Sequence, residues 1–157
     1  MNAVEIRELN MPEAVAYGSE EADAVILDCN YDFGEAERNQ LEIKWYYNGE
    51  PRHFIQWIPS SNPKRGLQLI GERFQPHLDL NYSVETDDDA YEHRAIRLVN
   101  LTPQLSGSYK CKVASLTDED SKLRKLMVYC EYRGMEKLQR SAGSQYFFHC
   151  ILASFLT

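Results

Sequence analysis

Residues 105–111 read LSGSYKC, and this stretch decides the fold. Tyr109 stands two places before Cys111, Gly107 two places before the tyrosine, and the run continues as Lys112, Val113, Ala114. Tyr109, Cys111 and Val113 alternate with Lys110, Lys112 and Ala114, which is the period-two pattern of a strand with one apolar face. Working outward, Val25, Leu27 and Cys29 alternate with Ile26, Asp28 and Asn30, and Ile43, Trp45 and Tyr47 alternate with Lys44 and Tyr46. Asn48-Gly49 is a tight-turn signal leading into Phe54–Ile58. A polar connection, Pro59–Gly71, precedes weaker strand material at Leu78–Val84. The acidic loop Asp87–Asp89 leads to Ile96, Leu98 and Leu101, and a second acidic loop, Asp118–Asp120, leads to a last strand at Leu123–Tyr129. Helical signals are scarce. About eight or nine strands spaced near ten residues predict an all-β, two-sheet antiparallel sandwich.

The chain has 157 residues and a formal net charge of −7, with 43% hydrophobic and 26% charged residues. That suffices for one domain with a packed core and is too apolar for a disordered chain. Acidity excludes phosphate-backbone binding as the main task, because such affinity comes from clustered Lys and Arg releasing counterions. No segment reaches the roughly 20 apolar residues of a membrane-spanning helix. Met1–Tyr17 carries no apolar run of leader type, so either the sequence begins inside a longer product or export proceeds otherwise. Four cysteines (Cys29, Cys111, Cys130, Cys150) allow three full pairings, and none has the close spacing of a zinc or redox pair. Their long separations suit a bond between distant strands in an oxidising compartment. Beyond Cys130 the alternation ends and the apolar cluster YFFHCILASFL (146–156) has no nearby partner. Residues 1–129 are therefore expected to form the domain and 130–157 a C-terminal tail outside the core. Small residues at 141–144 precede that cluster, but the polar spacer of a lipid-anchor signal is too short.

Cys29, Trp45, Leu98, Leu101, Gly107, Tyr109 and Cys111 form an ordered set that resembles the immunoglobulin superfamily, and LSGSYKC is similar to its pattern D-x-G-x-Y-x-C. The resemblance implies a Cys29–Cys111 disulfide across the two sheets, the Trp45 indole packed on it, and a strand corner anchored by the Tyr109 hydroxyl. Leu105 stands where the family has aspartate, so the family's buried salt bridge is expected to be missing. The 81 residues between the two cysteines leave room for the extra strands of the variable type. Residues 44–59, KWYYNGEPRHFIQWIP, together with SGSYKCKVAS, resemble the first domain of the insect beaten-path group of neuronal immunoglobulin proteins. That narrower resemblance implies a Sidestep-like immunoglobulin receptor as partner.

If Trp45, Tyr109, Cys111 and Val113 point inward, Lys44, Tyr46, Lys110 and Lys112 point outward and are adjacent, with Lys122, Arg124 and Lys125 of the last strand expected to join them. The result is a basic, aromatic-containing protein-binding face on an acidic chain, of the kind where aromatic area anchors and charge steers. Sequons at Asn81-Tyr82-Ser83 and Asn100-Leu101-Thr102 are expected to carry glycans on the opposite sheet. No nucleophile, base and orienting group converge: His53, His77, His93 and His149 are scattered, and no hydrolase or phosphate-loop motif occurs. The acidic loops match no calcium-binding loop and read as solvated tips. No enzymatic activity, metal, cofactor, nucleic acid or small-molecule substrate is expected. Cys130 and Cys150 could pair, stay free or link two chains. The function expected is extracellular or cell-surface recognition of another protein in adhesion or neuronal guidance, the alternative being a secreted immune or ligand-binding module.

Overall fold

The computed structural model describes residues 3–17 and 24–130. Nine strands lie among them: β1 (Val4–Asn10), β2 (Ala14–Tyr17), β3 (Ala24–Phe33), β4 (Glu42–Tyr47), β5 (Ile55–Trp57), β6 (Gln68–Leu69), β7 (Ala95–Val99), β8 (Gly107–Ala114) and β9 (Glu119–Cys130). They form a three-stranded sheet in the order β1-β3-β7 and a six-stranded sheet in the order β2-β9-β8-β4-β5-β6. Every pairing is antiparallel except β2 with β9, which is parallel. The chain passes from one sheet to the other between β1 and β2, at Met11-Pro12-Glu13, where proline can donate no ladder hydrogen bond.

The inward faces follow the alternation. Leu27, Cys29, Tyr31, Trp45, Ile96, Leu98, Tyr109, Cys111 and Val113 are buried between the sheets. Cys29 of β3 and Cys111 of β8 are joined by a disulfide with Cα atoms 6.4 Å apart, and Trp45 lies directly across from Cys111 on β4. The Tyr109 hydroxyl donates to the Leu105 carbonyl at 2.6 Å, anchoring the turn before β8. A second tyrosine braces the same corner: the Tyr47 hydroxyl reaches the Gln104 carbonyl at 3.0 Å and the Ser106 carbonyl. Leu105 is itself buried, and Arg73 pairs with Glu50 at 2.9 Å while lying 4.4 Å over the Tyr47 ring. Burial pushes the Tyr31 and Tyr109 hydroxyls far above the ordinary phenol range, so both remain protonated donors.

The Asn48-Gly49 turn forms as expected. Both residues have positive φ (50° and 69°), and the Glu50 amide donates to the Tyr47 carbonyl, closing a type I′ turn. At Leu78–Val84 the expected strand shrinks to a single bridge between Leu78 and Leu98. The Asp79 carboxylate accepts from the Asn81 amide and pairs with Arg97, and the Tyr82 amide turns back to the Asp79 carbonyl, so the chain leaves β7 after two residues. Met1–Tyr17, read from sequence only for the absence of a leader, supplies β1 and β2. Its apolar residues Val4, Ile6 and Leu9 are all buried because the register shifts between Ile6 and Glu8, and that bulge absorbs the odd spacing.

The acidic run 118–120 is a correction to the expectation of an idle loop tip. Asp118 and Asp120 accept from the Val4 and Ile6 amides at 2.9 and 2.8 Å, while Lys122 Nζ and Arg124 Nη1 donate to the carbonyls of Arg7 and Leu9 at 3.4 and 3.1 Å. Asp118, just before β9, and three alternate side chains of β9 therefore satisfy backbone groups along the open edge of β1. They do across the gap between the sheets what a neighbouring strand would do within one, and they protect β1 from edge-to-edge pairing. Asp88 in the other acidic loop also has a structural task. It caps the turn at Asp89–Tyr91 through the Ala90 amide and binds Arg38 with both carboxylate oxygens.

β9 runs one residue past the expected domain end, to Cys130. The tail assignment from residue 131 onward and the pairing of Cys130 with Cys150 lie outside the described residues.

Candidate functional site

The outer face of the six-stranded sheet is organised in rows set by strand register. Residues directly opposite one another share a face, strands lie about 4.8 Å apart, and successive rows on one face about 7 Å apart. One row runs Gln56, Lys44, Lys112, Ser121 across β5, β4, β8 and β9. The next runs Tyr46, Lys110, Leu123 across β4, β8 and β9, and the next pairs Ser108 with Lys125. Lys44, Tyr46, Lys110 and Lys112 thus meet on one surface, half-exposed, with the buried set behind them.

Lys44 and Lys112 face each other directly, which by itself destabilises the pair of strands. Each has its own counter-ion: Glu42 lies 2.8 Å from Lys44, and Glu119 lies 3.1 Å from Lys112. The hydrogen bond that Lys112 donates to the Glu119 carboxylate holds its ammonium above the ordinary lysine pKa. Lys110 makes no ion pair among the described residues; its ammonium sits 4.5 Å above the Tyr46 ring. His53 stands edge-on to Tyr46, with ring centroids 5.9 Å apart, and lies 3.1 Å from the Gln56 side chain. Partial burial first, and then the Lys44 charge, lower its pKa, so the ring is neutral at pH 7. His53 was not legible as a member of this face because it lies outside the strands, in the link between β4 and β5.

Arg124 does not belong to this face. It lies across from Tyr109, and Lys122 across from Cys111, so both point to the inward side of the sheet, where they hold β1. Arg124 also lies 3.9 Å from Glu13. Of the three basic residues expected from β9, only Lys125 is outward. Beyond Ser121 the outward residues of β9 are instead Leu123, Lys125, Met127 and Tyr129, and the three apolar ones are 51%, 59% and 45% exposed. This stripe was missed because Leu126 and Val128, which are buried, offer an equally apolar alternation in the other phase.

Next to the stripe is a groove of about 560 Å³ walled by Glu13, Ser108, Lys125 and Met127 and floored at Gly107. Glycine is required at this position for packing: its φ is +153°, and a Cβ there would meet Asn48 Oδ1 at 2.3 Å and the Tyr47 ring at 2.8 Å. A second groove, of about 640 Å³, lies between Arg38, Pro59, Lys64 and Asp87–Ala90. Both of its cations are paired, Arg38 with Asp88 and Glu35 and Lys64 with Asp89.

The sequons lie on the other sheet. Asn81 is exposed in the turn beside β7. Asn100 follows β7 with φ of 52° and donates its amide to the Pro76 carbonyl at 2.7 Å, while Thr102 is buried. No group of His, Cys, Asp and Glu among the described residues has the arrangement of a metal site.

No protein-family model and no curated protein matches the chain. Among solved structures, the human B7-H4 IgV-like domain superposes with a TM-score of 0.52 at 16% identity, over 82% of this chain and 98% of that one. The likeness is one of fold. With the sheet orders above and the Cys29–Cys111 bond, it makes this chain an immunoglobulin-like sandwich of the variable type.

Proposed function

We propose that this chain is an extracellular or cell-surface recognition module that binds another protein through the outer face of β9, β8 and β4. The observation that carries the reading is the row Tyr46, Lys110, Leu123 flanked by Lys44 and Lys112. It brings aromatic, apolar and cationic side chains together on the solvent side of the sheet in a chain whose net charge is −7. Such a combination supplies anchoring area and charge complementarity, and it exceeds what solubility requires. The Cys29–Cys111 disulfide supports an oxidising compartment. Asn81, exposed on the other sheet, is proposed as a glycan site whose sugar leaves the binding face clear; Asn100, with its amide engaged, is the weaker acceptor. Within this reading the partner is an immunoglobulin-superfamily receptor, Sidestep-like if the resemblance at residues 44–59 extends to function, and the process is adhesion or neuronal guidance.

The test is a screen of the chain, multimerised, against a panel of immunoglobulin-superfamily ectodomains, repeated with K110E/K112E and with a substitution at an exposed position of the far sheet, I26E. Binding lost in the first variant and kept in the second is the expected result. Binding indifferent to K110E/K112E in a folded protein, or abolished by I26E alone, removes the proposal.

A further inference from the structure

We infer that the partner of this face is an acidic protein surface and not a second copy of the chain, and that it presents carboxylates to Lys44, Lys110 and Lys112 beside an apolar or aromatic side chain for the adjoining groove. The inference rests on the reading above and adds the chemistry of the partner. Lys44 and Lys112 are directly opposed, and Lys110 lies one row on, about 7 Å away along β8. A carboxylate set over the Lys44–Lys112 pair relieves a repulsion that the free protein relieves only with its own Glu42 and Glu119, 2.8 and 3.1 Å away. Lys110 is held by an aromatic ring alone and is free to exchange that contact for an ion pair.

Self-association by a two-fold axis through the face is disfavoured by the same groups. An axis through the lysine rows would bring Lys44, Lys110 and Lys112 against the same set in the other copy, and like-charge juxtaposition across an interface is strongly unfavourable. A general polyanion is disfavoured for a different reason. Charges further away than about 8 Å are screened at physiological salt, so the patch acts locally, and an extended polyanion that runs past it gains nothing from the patch and meets the surface of an otherwise acidic chain at close range. A folded partner with one acidic cluster fits both conditions. The groove sets the second element. It opens beside Ser108, the residue two before Lys110 on the same face, and its flank is Met127. An apolar side chain placed about 7 Å from the partner's carboxylates enters it.

The probe is the peptide acetyl-Glu-Glu-Phe-Glu-Glu-amide, titrated into the full chain and followed by amide NMR shifts. Controls replace its four Glu by Gln or its Phe by Ala. The expected result is shifts at Ser108, Lys110 and Lys112 with a Kd about tenfold below that of the Gln peptide, weakened again when Phe becomes Ala. K110Q/K112Q abolishes the difference between peptides, and E42Q/E119Q, which frees both lysines from their internal partners, tightens the acidic peptide about threefold. Equal affinity for the acidic and Gln peptides, or unchanged affinity in E42Q/E119Q, overturns the inference. So does tighter saturation of the same amides by a heparin hexasaccharide, or a dimer in sedimentation that dissociates on K112E. An ectodomain whose binding needs Lys110 while the peptides fail would leave the binding face standing and remove only the acidic partner. Ectodomain binding indifferent to Lys110 would remove the face itself.

Discussion

Replacing Asp120 by alanine should loosen β1 specifically. Its carboxylate accepts from the Ile6 amide at 2.8 Å, and Ile6 is 1% exposed, so water cannot take over that amide without moving the strand. A hydrogen bond to a charged acceptor contributes about 1.5–3 kcal/mol; because Asp120 itself is half-exposed, solvent screening reduces this to about 1–2 kcal/mol. For a fold of this size that corresponds to a fall in Tm of about 3–8 °C. Urea unfolding gives the global loss, and amide exchange at Val4 and Ile6 locates it. D120N, which keeps an acceptor oxygen, should lose less, and D87A, in the exposed loop, should stay within about 0.5 kcal/mol of the parent. If D120A unfolds within about 0.3 kcal/mol of the parent with exchange at Ile6 unchanged, then backbone pairing to β3 alone holds β1 and the side-chain ladder from β9 is ornamental. The same ladder carries a pH signature. The Val4 amide, first among its causes, holds the Asp118 carboxyl below its ordinary pKa. A depressed carboxyl favours folding fully above its unfolded pKa of about 4 and loses that contribution as pH falls through the folded value. Protection of Val4 should therefore decline on acidification below about pH 4, and D118N should show no such decline.

Three further outcomes follow from the site and the core. Reducing the Cys29–Cys111 bond, or C29A/C111A, should cost roughly 4–5 kcal/mol by the loop-entropy relation for a separation of 82 residues, read as the shift in urea midpoint. G107A places a Cβ against Tyr47 at a φ of +153° and should cost about 2–3 kcal/mol, whereas S108A, one residue on and half-exposed, should be nearly neutral by the same measurement. In a secretory host, N81Q should remove a glycosidase-sensitive gel shift and N100Q should change it little; the reverse pattern would mean that the amide contact to Pro76 opens before glycosylation.

Much of the sandwich was legible because a one-residue phase error would have buried charge. Lys110 and Lys112 can only face out if Tyr109, Cys111 and Val113 face in, and the same logic orients β3 and β4. β1 was not legible, because Val4, Ile6 and Leu9 break the alternation and only a bulge restores it. The strand expected at Leu78–Val84 failed for a local reason: Asp79 offers its carboxylate to the chain two residues on, and a turn competes with the ladder.

The sequence by itself determined the two-sheet architecture, the cysteine, tryptophan and tyrosine of its centre, and the outward set Lys44, Tyr46, Lys110 and Lys112. Only the tertiary structure decided the phase of β9. Asp118, Asp120, Lys122 and Arg124 alternate with Leu123, Lys125, Met127 and Tyr129, and apolar residues recur in both phases, so solvent preference favours neither. Pairing with β8 resolves the choice: with Tyr109 opposite Arg124 and Lys110 opposite Leu123, the charged set turns inward to satisfy the unpaired backbone of β1, and the apolar set is left on the binding face. Where two periodicities are equally apolar, the hydrogen bonds demanded by a neighbouring strand determine which side faces water.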